Sequence, residues 1–156
     1  MQKNILPAIF CFLAVFCTGC ASTGDKDDTA GMSAQQIFQA AKDAEADGTW
    51  DKAVKYLERL EARYPYGTYA QQAQLEMCYA HWKDNETEQA IAACDRFLKL
   101  HPNHSAVDYV LYLKGLIYFN EDLGYVAYLG STDPTERDSL AAKESFMAFS
   151  ELLRRF

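Results

Sequence analysis

Gly48-Thr49-Trp50-Asp51-Lys52-Ala53-Val54-Lys55-Tyr56-Leu57-Glu58-Arg59-Leu60-Glu61-Ala62-Arg63-Tyr64-Pro65 is the stretch whose reading decides the fold. Trp50, Ala53, Val54, Leu57, Leu60 and Tyr64 step by three and four, which draws one apolar stripe down an amphipathic helix. Pro65 ends it, because proline has no N–H to donate. The same pattern returns 37 residues later. Gly48 to Ala53 aligns with Asn85-Glu86-Thr87-Glu88-Gln89-Ala90, and Leu57 to Pro65 aligns with Cys94-Asp95-Arg96-Phe97-Leu98-Lys99-Leu100-His101-Pro102. An alanine, two large apolar residues and a proline recur, and a period in the range of about 20–50 residues marks a solenoid.

Working outward, the periodicity predicts six helices in three hairpins: 33–47 with 49–64, 68–83 with 86–100, and 105–121 with 134–155. Ser33 with Gln36 and Thr68 with Gln71 read as capping boxes, and Asn85 with Glu88 is a looser version. Asp133-Pro134 reads as the start of the last helix, as N-cap and N1. The third hairpin carries an apolar, aromatic insertion at 122–133, which is expected to be a loop packed on something. The pattern resembles tetratricopeptide repeats. Ala41, Ala53, Leu57, Leu60 and Pro65 match in the first repeat, and Cys78, Ala90, Cys94, Phe97 and Pro102 in the second. Leu111, Gly115, Tyr118, Ala142, Phe146 and Phe149 match in the third. The resemblance implies an all-α, right-handed superhelix of three helical hairpins, with repeats at 33–65, 68–102 and 105–156.

The N-terminus reads differently. Lys3 precedes an apolar run from Ile5 to Phe16, too short for a bilayer core that needs about 20 helical residues, so residues 1–19 read as a cleaved signal. Phe16-Cys17-Thr18-Gly19-Cys20 looks like the acylation site of a bacterial lipoprotein, with Cys20 as the lipidated first residue of the mature chain. Cys17 stands where such sites prefer leucine, and ordinary secretory cleavage is the alternative. Ala21 after Cys20 favours the outer over the inner membrane, by resemblance to Gram-negative sorting rules. Residues 20–32 are small, polar and acidic, and read as a flexible tether.

Composition excludes several functions. The net charge of −7 without a basic block lacks the footprint of a nucleic-acid binder. No phosphate-binding glycine loop, nucleophile elbow or other catalytic constellation is present, so an enzyme is not expected, nor any cofactor. His101 and His104, without thiolates or clustered carboxylates, make a weak metal signal and read as loop histidines. Cys78 and Cys94 point into one hairpin, either as two buried thiols or as a disulfide stapling the second repeat.

The informative surface is aromatic. If first helices line the concave face, as in tetratricopeptide arrays, then Phe38, Leu75, Tyr79, Trp82, Tyr109, Tyr112, Leu116 and Phe119 form a trough, with Gln72 and Lys83 among them. Large amphipathic rings are common interface anchors. Such a trough suits an extended apolar, aromatic peptide, although the same rings also serve as packing between repeats. Tyr64 and Tyr66, in the cluster running to Tyr69, form either the lip of this trough or only a corner between repeats.

Taken together, several stretches resemble the BamD (ComL) family of outer-membrane assembly lipoproteins. They are Asp47 to Trp50, Arg63 to Leu75, Ala93 to Phe97, His101 to His104, Asp108 to Leu116, and Asp133 to Asp138 leading to Ala142. The resemblance implies a lipid-anchored protein on the periplasmic face of the outer membrane. Its implied partners are BamA, other assembly-machine lipoproteins and unfolded β-barrel precursors. Another lipid-anchored repeat scaffold, such as a secretin pilotin or an envelope adaptor, is the alternative. Family members carry more repeats than the three read here, and the family's docking surface on BamA is expected largely in those further repeats. Phe149, Leu153 and Phe156 are expected on one side of the last helix, where a terminal repeat needs a polar face. The sequence therefore reads as the N-terminal portion of a longer family member, with self-association through that face expected of it alone.

Overall fold

A computed structural model describes residues 27–129 and 139–156. It divides into a unit ending at Ala30 and a unit spanning Gly31–Phe156. In the first, the described residues form a turn in which the Ala30 N–H donates to the Asp27 carbonyl at 3.1 Å. Signal segment 1–19 and Cys20 lie outside the described residues.

Among its described residues the second unit carries six α-helices and no strand: α1 Ala34–Ala46, α2 Trp50–Arg63, α3 Thr68–Lys83, α4 Thr87–Leu100, α5 Val107–Leu129 and α6 Ser139–Arg155. Each helix packs on the next, and the first helices of the hairpins also meet, α1 on α3 and α3 on α5. That is the stacking expected of a tetratricopeptide superhelix.

The turns explain the repeat. Gly48 has φ 71° and Asn85 has φ 63°, both left-handed. The Gly48 and Thr49 N–H groups donate to the Glu45 and Ala44 carbonyls, at 3.0 and 2.9 Å. The Asn85 and Glu86 N–H groups donate to Trp82 and His81, at 3.2 and 2.9 Å. Both are Schellman closures, which need glycine or asparagine at this position. Asn85 therefore ends α3, and the structure corrects its expected role as the N-cap of α4, which falls to Glu86. Thr68 is likewise the first residue of α3 and not its cap. The cap is Gly67, whose φ of 99° turns the chain into the helix one residue earlier. Ser33 and Gln36 do form the expected capping box on α1.

Two apolar clusters hold the hairpins together. Ile37, Ala41, Val54, Leu57, Leu60, Ala73, Met77 and Ala80 fill the first, across α1, α2 and α3. Cys78, Ala90, Cys94, Phe97, Val110, Leu113 and Ile117 fill the second, across α3, α4 and α5. Leu57, Leu60 and Phe97 are fully buried. Each stabilises the stack by about 1.5–3 kcal/mol relative to exposure. Alanines and Cys78 let the helix axes approach.

The third hairpin departs from expectation twice. Residues 122–129, expected as loop, continue α5 to Leu129. Within 122–129 there is no proline to interrupt the ladder, and extending an existing helix adds a bond per residue without a new nucleus. The rest of the insertion and Asp133-Pro134 lie outside the described residues. In α6, the expected match residues Ala142 and Phe146 face solvent, Phe146 being 72% exposed. Ser145 and Ala148 are buried instead. The Ser145 hydroxyl donates to the Gly115 carbonyl at 2.9 Å, which satisfies it in the core. Leu153 and Phe156 are exposed as expected, but Phe149 turns inward over Gly115.

Candidate functional site

The aromatic residues fall into two groups. On α1 and α3 they are half-buried. Phe38 packs on the first cluster and meets Tyr69 at 5.7 Å. Leu75, Tyr79 and Trp82 pack on the second cluster. Tyr79 stands edge-on to Trp82 at 6.0 Å and to Trp50 at 5.7 Å. Edge-to-face pairs of this kind add about 0.5–1.5 kcal/mol beyond burial. On α5 the rings are open: Tyr109, Tyr112 and Phe119 are 42–50% exposed, with Leu116 half-buried among them. Tyr112 also meets Phe149 at 6.1 Å. The i, i+3, i+7 and i+10 spacing from Tyr109 puts these four on one face of α5.

The corner tyrosines separate. The Tyr64 hydroxyl donates to the Met32 carbonyl at 2.8 Å and its ring packs on the first cluster, so it braces the hairpin. Tyr66 is 91% exposed.

Sequence reasoning missed four residues here. Trp50 reads as core from its stripe, but its half-buried ring joins Tyr79, and the Lys83 ammonium lies 5.7 Å from its centroid. The other three form a charge cluster between α1 and α3. Lys42 Nζ lies 2.5 Å from Glu45 Oε2 and 3.2 Å from Glu76 Oε2. The Glu45 side chain is buried, and its Oε1 has no hydrogen-bond partner. Burial holds the Glu45 carboxyl above its ordinary range, against the pull of Lys42. For Lys42, burial works downward, but the Glu45 hydrogen bond and the charges of Glu76 and Glu45 outweigh it and raise its pKa. Tyr109 is raised too, first by burial and then by the Glu76 charge. No local spacing marks this cluster, because Glu76 meets Lys42 only where α1 packs on α3.

A separate cleft of about 740 Å³ has a wall from each of α2, α3 and α4 and contains none of the expected trough residues. Gln74 crosses its edge, donating to Glu61 at 2.6 Å and meeting His101 Nε2 at 2.7 Å, while Arg96 pairs with Glu61. The His101 and His104 rings pack on Phe97 at 5.2 and 5.3 Å. No group of three potential ligands that could hold a metal occurs among the described residues. Cys78 and Cys94 are both buried and unlinked. No helix among the described residues is long and apolar enough to cross a membrane.

Comparison with known proteins agrees with this architecture. The tetratricopeptide repeat family model matches residues 25–156. An outer membrane protein assembly factor BamD from Neisseria meningitidis serogroup B (strain MC58) is 42% identical over 99% of the chain and 59% of its own length. The BamD of Vibrio cholerae serotype O1 is 35% identical over 100% of the chain and 63% of its own length. That of Caulobacter vibrioides is 25% identical over 92% of the chain and 45% of its own length. The chain thus spans about three fifths of the first two of these relatives. It belongs to the tetratricopeptide repeat family, with the outer membrane protein assembly factors BamD as its relatives.

Proposed function

We propose that this chain works in outer-membrane protein assembly as a lipid-anchored, non-catalytic scaffold whose aromatic face binds unfolded barrel precursors. The observation that carries the reading is the open stripe of Tyr109, Tyr112 and Phe119 on α5. A folded repeat has no packing reason to leave three rings on one helix about half open. An extended strand that presents aromatic side chains on alternate residues has rings to place against them. The relatives' name as assembly factors supports the same class of ligand. Cys20 supplies the anchor in this reading: burial of acyl chains is worth about 0.8 kcal/mol per CH₂, and stable attachment takes more than one chain.

Site-specific photocrosslinking from Tyr112 tests the reading. Capture of barrel precursors is the expected result. Capture of a secretin subunit alone would move the protein to the class of secretin pilotins, and capture of neither would remove the α5 face as a site.

A further inference from the structure

Cys78 on α3 and Cys94 on α4 lie in one hairpin. Both are 0% exposed and belong to the same apolar cluster. The two helices that carry them pack directly on each other. Cys78 also donates to the Gln74 carbonyl at 3.4 Å, an i−4 bond that fixes its rotamer along the helix. Two cysteines are the only sulfur-bearing pair that this hairpin brings together, since Met77 belongs to the neighbouring cluster.

We infer that Cys78 and Cys94 are a disulfide site, which oxidation converts into a covalent staple of the second repeat. Each cysteine gives up its thiol proton and one electron to form a single S–S bond. The two electrons and two protons reduce an oxidant disulfide, such as glutathione disulfide or an oxidoreductase disulfide, to two thiols. Once folded, the pair is sealed from such an oxidant, and its neighbour's hydrogen bond and burial both raise the Cys78 thiol, which keeps it protonated and unreactive. Oxidation therefore belongs to folding, before the hairpin closes, or to its transient opening.

The staple has a consequence for the aromatic face. Leu75, Tyr79 and Trp82 sit on α3 beside Cys78, so a bond to α4 pins the helix that carries them. The helix that carries these rings is then joined to α4 by covalent geometry as well as by packing.

The test uses the full chain, refolded in a glutathione redox buffer and, separately, exported by a host with an oxidising envelope. Free thiols are alkylated under denaturing conditions without reductant, and the chain is digested with trypsin. The expected result in the refolding arm is peptide 64–83 linked to peptide 84–96, with neither alkylated. Alkylation of both peptides in that arm overturns the inference, whatever the protein's cellular role. A linked pair after refolding but alkylated peptides after export would contradict only the export reading of residues 1–19. The linked chain is expected to lose roughly 5–15 °C of melting temperature on reduction, as a loop of about 15 residues is released. The Cys94→Val chain, which keeps the cluster apolar, is expected to melt at the same temperature with and without reductant. An equal reductant shift in that variant would also overturn the inference.

Discussion

Gly48 and Asn85 close the first helices of successive hairpins in one left-handed conformation, with φ of 71° and 63°. The repeat is thus written in backbone geometry as well as in apolar periodicity. An L-residue with a full side chain is strained there, asparagine less than most, and glycine hardly at all.

The two positions should respond in opposite directions. Gly48→Ala is expected to destabilise by about 1 kcal/mol, and Asn85→Gly to be neutral or stabilising by a few tenths of that. Denaturant midpoints at constant slope check both. A destabilising Asn85→Gly would mean that its side chain does something other than permit the turn.

Gly115 tests the packing of the third hairpin. A Cβ there would lie 2.6 Å from the Phe149 ring. Gly115→Ala is therefore expected to cost about 1–3 kcal/mol. Adding Phe149→Leu should recover part of that loss, so the pair is predicted to be less than additive in thermal unfolding.

Glu45 gives the chain a pH signature. Burial raises its folded pKa, so the folded chain keeps this proton to higher pH than the unfolded chain does. Its contribution is fully present below the ordinary glutamate value, near 4.3, and declines as pH rises through the higher folded value. Urea midpoints of wild type and Glu45→Gln, measured from acid to neutral pH, should diverge across that window, with the variant the flatter. Parallel profiles would contradict the assignment.

The corner tyrosines should part company. Tyr64→Phe removes the hydrogen bond to the Met32 carbonyl and is expected to cost about 0.5–1.5 kcal/mol. Tyr66→Ala, at a fully open ring, should leave stability within about 0.5 kcal/mol. Thermal unfolding of the two variants separates the brace from the exposed ring.

Much of the fold was legible because its signals are local. The stripe from Trp50 to Tyr64, the capping box at Ser33 and the stop at Pro65 each act over a few residues. The third hairpin was harder for a physical reason. Ser145 is buried because a carbonyl on another helix accepts its hydroxyl, and no periodicity reveals that partner. Asn85 misled because asparagine serves both ends of a helix, as N-cap or as left-handed closure. In the trough, geometry alone divided the expected rings into half-buried ones on α3 and open ones on α5. Lys42, Glu45 and Glu76 look like a solvated face in sequence, and gather around the buried Glu45 side chain only when α1 meets α3.

The central claim is that the α5 face binds an extended aromatic strand. Its most direct test is the affinity of the chain for a peptide ending in an aromatic barrel-type strand, measured before and after the paired change Tyr109→Ala and Tyr112→Ala. Circular dichroism should show unchanged helicity, since both rings are near half exposed. The account predicts at least about a tenfold loss of affinity, the scale of truncating an interface anchor. Unchanged affinity with intact helicity would contradict it.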